Sequence, residues 1–258
     1  MRGAALVVSA AVWLSSSAEA LTPVAQDRHV FGREEDGFGN LIYADGDFVS
    51  TETRSAPDYA PFTATTDGFF FPFEGPTIAA QNSTIGADQL DASGNTVSQP
   101  PSNPLYGYRI IAESVYSVTF DVEHARPYTL SGQIDVATNS CWGTAEAPIR
   151  LSGASGTLAG VSYTLVGSNE LSEEDSVPLS TTLLLPAGTY TLEAWSRTDA
   201  SGGIGPHGPD LCDVPFGERT SRYEVHLAPA PPVVPALPAP WSVVLATALA
   251  LSARARRR

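Results

Sequence analysis

The sequence predicts an all-β body, an antiparallel β-sandwich of jelly-roll kind, with a signal helix ahead of it and a short transmembrane helix behind. Three observations carry this expectation. Much of the second half alternates apolar and polar residues with a period of two, as strands with one buried face do. No stretch of the body shows a capped 3.6-residue apolar period. The charge-free apolar stretches that suit a helix stand at the two ends, at residues 3–14 and 241–253. The chain therefore divides into a signal peptide (1–20), an irregular N-terminal part with extra strands and long loops (21–105), a sandwich core (106–227), a Pro-rich linker (228–240) and a C-terminal helix with an Arg cluster (241–258).

Met1-Arg2 forms a short positive start, and the apolar stretch after it has 12 residues. As a helix it reaches about 18 Å, short of a bilayer core of about 30 Å. The leader closes on Ala18-Glu19-Ala20, a small-x-small site that predicts cleavage after Ala20. The expected partners are the Sec translocon and signal peptidase, and the expected destination is outside the cytoplasm.

Residues 21–105 are less regular. Short strands are expected near 41–43, 48–53 and 77–80, with turns at 37–40, 92–95 and 99–104. They are expected to add strands and long loops to the same sandwich. Beyond them Tyr116, Val118, Phe120 and Val122 alternate with polar residues, and so do Tyr128, Leu130, Ile134 and Val136. Val161, Tyr163 and Leu165 repeat the pattern, as do Leu179, Thr181, Leu183 and Leu185. Pro186-Ala187-Gly188 then predicts a hairpin into Tyr190, Leu192 and Ala194. Tyr223, Val225 and Leu227 complete the set.

From Ala228 the composition changes to a proline-dense run that suits an extended polyproline linker rather than a sheet. The apolar stretch from Leu237 to Ala253 is 17 residues long, at the short limit for a membrane span. Arg254, Arg256, Arg257 and Arg258 would remain on the cytoplasmic side, with Trp241 at the opposite interface. Pro238, Ala239, Pro240, Trp241, the short helix and the terminal arginines together resemble the PEP-CTERM class of bacterial sorting signals. The resemblance implies recognition by an exosortase-type sorting enzyme in the membrane. Here Pro238-Ala239-Pro240 stands where that class has Pro-Glu-Pro. The body also resembles uncharacterised PEP-CTERM-bearing secreted β-sandwich proteins. The likeness runs through Ser55-Ala-Pro-Asp-Tyr-Ala-Pro-Phe62, Ala80-Gln-Asn-Ser-Thr84, and Val115 to Gly132. It implies an exported life and no catalytic residues.

The chain holds 28 acidic and 14 basic residues, with no lysine, for a net charge of −14. Such a body repels phosphate backbones, which excludes nucleic acid as a partner. Cys141 and Cys212 are the only cysteines, and in an exported chain a lone pair predicts one disulfide. Closing that loop would contribute about 4 kcal/mol in the chain-entropy model. A metal set of His207, Asp210 and Cys212 is the minor alternative. The acidic clusters Glu34-Glu35-Asp36, Asp45-Gly46-Asp47 and Glu173-Glu174-Asp175 offer oxygens to calcium, but none has EF-hand spacing, and they read as solvated surface. Asn82-Ser83-Thr84 matches a glycosylation sequon, a modification that a bacterial sorting tail argues against.

No Gly-x-Ser-x-Gly, phosphate-cradling loop or His-Glu-x-x-His occurs. The sequence therefore predicts no catalytic residues, no metal and no cofactor. If Tyr190, Leu192 and Ala194 face the core, Trp195 faces outward with Thr191, Glu193 and Arg197. An outward Trp beside polar partners suits stacking on a sugar ring. The alternative is a Trp covered by the N-terminal part, through the aromatic run 69–73. The expected role is structural or adhesive, at the cell envelope or in the extracellular matrix. The second expectation is a carbohydrate-binding module for extracellular polysaccharide with Trp195, Glu193 and Arg197 at its site. A glycoside-acting hydrolase comes third.

Overall fold

The computed structural model describes residues 21–36, 49–68, 77–99, 108–139, 143–166, 173–202 and 217–231. The Ala18/Ala20 cleavage site, Cys141, Cys212, His207, Asp210, Asp45, Asp47, the aromatic run 69–73 and the tail from Pro232 lie outside them. Among the described residues there are twelve strands and no helix, so the all-β expectation stands.

In chain order they are β1 (Thr22–Asp36), β2 (Val49–Ser55), β3 (Phe62–Gly68), β4 (Thr77–Ile85), β5 (Leu90–Ser98) and β6 (Tyr108–Val122). Then follow β7 (Arg126–Thr138), β8 (Thr144–Gly153), β9 (Gly156–Val166), β10 (Glu173–Leu185), β11 (Gly188–Gly202) and β12 (Arg219–Pro229). They form two six-stranded antiparallel sheets, ordered β2-β1-β6-β11-β8-β9 and β10-β7-β12-β5-β4-β3. The sheets lie face to face, β6 over β4 and β5, β11 over β5 and β12, β8 over β7 and β12.

The alternation read from the sequence is the alternation of the interior. Tyr116, Val118, Phe120, Leu130, Ile134, Leu192, Ala194, Tyr223 and Leu227 have no exposed surface, and they form one apolar cluster with Ile149, Leu151 and Val225. The rings of Phe120 and Tyr190 meet at 6.0 Å between centroids. That separation lies within the range of favourable tilted aromatic contacts.

The other end of the interior is built differently. Val30, Phe62, Ala64, Ala79 and Ala112 form a small second cluster. Around the interior are buried polar groups that include Arg28, Thr66, Gln81, Ser83, Thr96, Ser98, Ser114, Ser196 and Thr198. Burial of such groups is tolerated when each finds a partner. Arg28 Nε donates to Gln26 Oε1 at 2.9 Å, Nη1 to Ser83 Oγ at 3.2 Å and Nη2 to the carbonyls of Asp58 and Ala60. Its guanidinium also stands 5.8 Å from the centre of the Phe62 ring. One buried cation thus ties β1, β4 and the β2–β3 connection together. Gln81 Nε2 reaches Tyr223 Oη at 3.0 Å and the Val115 carbonyl, joining the two sheets.

The structure corrects three expectations. The hairpin expected around Pro186-Ala187-Gly188 is a crossing between sheets. β10 pairs with β7 in one sheet, while β11 pairs with β6 and β8 in the other. Leu185 and Tyr190 on either side of the turn both point between the sheets. Tyr190 Oη donates to the Pro186 carbonyl at 2.9 Å, which holds the arch in place of a hairpin ladder.

Residues 92–95, expected as a turn, lie in the middle of β5. Gly94 there is a close-approach position, since a Cβ would stand 2.3 Å from Ser114 Oγ and 2.4 Å from Tyr223 Cε1. Glu34, expected in a solvated acidic cluster, is 4% exposed, and its Oε1 accepts a 2.5 Å hydrogen bond from Thr77 Oγ1. It lies on the inward-facing side of β1, in register with Ile110 of β6. Residues 21–105 contribute β1–β5, with β5 paired to β12.

Candidate functional site

The site named by the sequence lies on the outer face of the β2-β1-β6-β11-β8-β9 sheet. On β11, Tyr190, Leu192, Ala194, Ser196 and Thr198 point inward. A strand with period two therefore turns Thr191, Glu193, Trp195, Arg197 and Asp199 outward. Trp195 is half-buried, and its cross-strand partner on β6 is Val115, which is in turn paired with His29 on β1. Glu193 stands opposite Ser117 on β6 and Arg150 on β8. Thr191 and Thr119 hydroxyls meet at 3.0 Å. The three predicted residues thus share one face, with a hydrophobic ring at its centre.

The strand register adds residues that the sequence reading missed. Arg197 lies between Glu113 of β6 and Glu146 of β8. Two residues further along β11, Asp199 accepts from Arg109 Nη2 at 2.8 Å and Nε at 3.3 Å, and lies 3.6 Å from Arg197 Nη2. Three carboxylates and two guanidiniums therefore surround one side of Trp195. Partial burial raises the Glu146 carboxyl above its ordinary range, Arg197 opposes that, and Glu113 and Asp199 add to it. A carboxyl held toward its neutral form can donate a hydrogen bond, which is useful against sugar hydroxyls. Arg109, Glu113 and Glu146 come from strands far apart in sequence from β11, and Glu146 sits in the bland Ala145-Glu146-Ala147-Pro148, so no local signal marked them.

On β8 and β9 of the same sheet runs a shallow groove of about 240 Å³, lined by Pro148, Arg150, Thr157, Gly160, Val161 and Ser162. The outer face of the opposite sheet has two adjoining grooves of about 300 and 400 Å³ that share Asn82 and Ser93. Their walls are polar, with an Asp91–His226 hydrogen bond between β5 and β12. Among the described residues, no group of three or more His, Cys, Asp or Glu gathers as a metal site would require.

No family model and no curated protein matches this chain. Solved structures give weak likenesses. The enzymatically active domain of bacteriophage CBA120 tailspike protein 4 is 15% identical over 57% of this chain and 19% of its own, at a TM-score of 0.20. Arabinose-bound MgGH51 α-L-arabinofuranosidase is 12% identical over 58% of this chain and 23% of its own, at 0.22. A structure of infectious bursal disease virus, Gt strain, is 10% identical over 92% and 71%, at 0.21. This chain spans about a fifth of the length of the first two. Scores this low carry no argument about fold or activity.

Proposed function

We propose that the chain is an exported protein of the cell envelope or extracellular matrix with a structural or adhesive role, sorted through its C-terminal tail and not an enzyme. The observation that carries the structural role is the length and continuity of the ladders. β1, β6 and β11 are neighbours of 15 residues each, paired along almost their whole length. At about 3.4 Å per residue they span roughly 50 Å of uninterrupted ladder, about the full width of a globular chain of this size. The threading of β5–β12 supports a jelly roll, with β5-β12-β7-β10 in one sheet and β6-β11-β8-β9 in the other, and β1–β4 widening both. The predicted leader, the Cys141–Cys212 pair and the tail supply export, oxidation and anchoring in this reading. Deleting residues 232–258 tests it. The truncated protein is expected in the medium, while the full chain fractionates with the envelope. Equal distribution of both forms would contradict it.

A second reading has its own observation. Trp195, flanked by Glu193, Arg197 and the Glu113–Glu146–Asp199 cluster, supports a polysaccharide-binding face. A glycan array with wild type and Trp195→Ala separates the two readings. Binding that the substitution abolishes favours the module, and no binding by either protein favours the structural role.

A further inference from the structure

Among the described residues the two sheets have four edge strands, β2, β9, β10 and β3. An edge presents unpaired backbone groups to any extended chain, and proteins blunt such edges with short strands, charges or proline. β2 and β3 have seven residues each, and β2 carries Glu52 and Arg54. β10 has Pro178 at its middle and Glu173-Glu174-Asp175 at its start. β9 differs from all three. Its eleven residues, Gly156–Val166, contain no charge and no proline.

The side chains at this edge tell the same story. Among the described residues, seven partly buried hydrophobic residues pack against the main core, and six of them are on β9 or β10: Ala159, Val161, Tyr163, Val177, Leu179 and Leu183. Leu158, Val166 and Leu184, also on these strands, stand 38%, 64% and 66% exposed. The main core is therefore open sideways where β9 and β10 run side by side. A hydrogen bond between the Tyr163 phenol and the Asp175 carboxylate spans the opening.

We propose that the β9–β10 edge is a self-association surface, on which a second copy of this chain adds its own β9 antiparallel to the first about a two-fold axis. Such pairing sets inward-facing residues of one β9 against inward-facing residues of the other, continuing the core across the axis. It also settles the charges. In an antiparallel arrangement the acidic start of β10 in one copy lies across from the Leu183–Leu184–Leu185 end of the other. Arg126 is the register partner of Leu185 there. Two bodies of net charge −14 thus meet along their uncharged β9 strands, with the carboxylates at the start of β10 set toward Arg126 of β7. A strip about 37 Å long and roughly 20 Å wide gives about 700 Å² per partner, close to the size of a standard interface. The Pro-rich segment after Ala228 is a poor occupant, because proline cannot donate to a ladder.

The purified full chain in sedimentation equilibrium tests this, and does so independently of where the protein resides. A dimer is expected between about 1 and 100 µM, with a dissociation constant weakened at least about tenfold by Leu158→Lys combined with Val166→Lys. Both positions are exposed, and circular dichroism checks that the variant keeps its fold. Thr53→Lys on the β2 edge should leave association unchanged. A monomeric wild type at about 100 µM overturns the proposal. So does association that resists the β9 substitutions but disappears in mild detergent, which would assign it to the apolar tail.

Discussion

The ring of Tyr223 on β12 lies against Gly94, its cross-strand partner on β5, and its hydroxyl continues inward to the Gln81 amide at 3.0 Å. The Tyr223 phenol is fully buried, and that burial pushes its pKa upward, with the Ser114 and Gln81 hydrogen bonds opposing. Glycine is needed here for space alone. An alanine methyl would overlap both the ring and Ser114 Oγ, and neither is a flexible chain end. Gly94→Ala is expected to cost about 3 kcal/mol. Thermal unfolding by circular dichroism checks this, with a drop of roughly 6–12 °C for a chain of this size.

Arg28 holds the β2–β3 connection by donating to the carbonyls of Asp58 and Ala60 from inside the sandwich. Replacing it with Met keeps much of the volume and removes every donor. The expected loss is about 2–3 kcal/mol, and the connection around Pro57–Pro61 should become a site of early cleavage in limited proteolysis. Arg28→Lys should not restore wild-type behaviour, because an ammonium cannot reproduce the planar fork that reaches four acceptors. Wild-type stability and proteolysis in the Lys variant would show that charge alone suffices.

Glu34 supplies a pH dependence with a definite sign. Burial raises its carboxyl above the ordinary value of 4.5, and the Thr77 hydrogen bond only partly offsets this. A carboxyl that binds its proton more tightly when folded stabilises fully below its unfolded pKa, and that stabilisation is lost as pH rises through the folded value. Glu34→Gln removes the titration. The variant is expected to gain on wild type between pH 4 and pH 7, by about 1 kcal/mol at neutral pH. Denaturant titrations at the two pH values measure the difference. A constant gap would mean that Glu34 does not titrate in this range.

The parts of the fold that were legible in the sequence are those whose buried face is large and apolar. Phe120, Leu130, Ile134, Leu192 and Leu227 announce their strands because each alternates with a polar neighbour. Period two is equally real at Ser114, Ser196 and Thr198, and at Ala145 and Ala147, yet small or hydroxylated residues give no hydropathy signal. The hydroxyls of Thr198 and Ser114 find partners across the sandwich, Ser98 Oγ at 2.7 Å and Tyr223 Oη at 3.4 Å. The turn at Pro186-Ala187-Gly188 illustrates another limit. Turn residues state that the chain reverses, and the sheet that receives the next strand is decided by packing on both sides. For the same reason Trp195, Glu193 and Arg197 were assignable to one face, whereas Glu113 and Glu146 joined them only through cross-strand register.

The central claim is that this body is carried out of the cytoplasm and oxidised there, and mass spectrometry of both chain ends and of the thiols in native protein tests it most directly. The account predicts a first residue of Leu21 and a Cys141–Cys212 bond. A cytosolic chain with Met1 in place and both thiols reduced would contradict it.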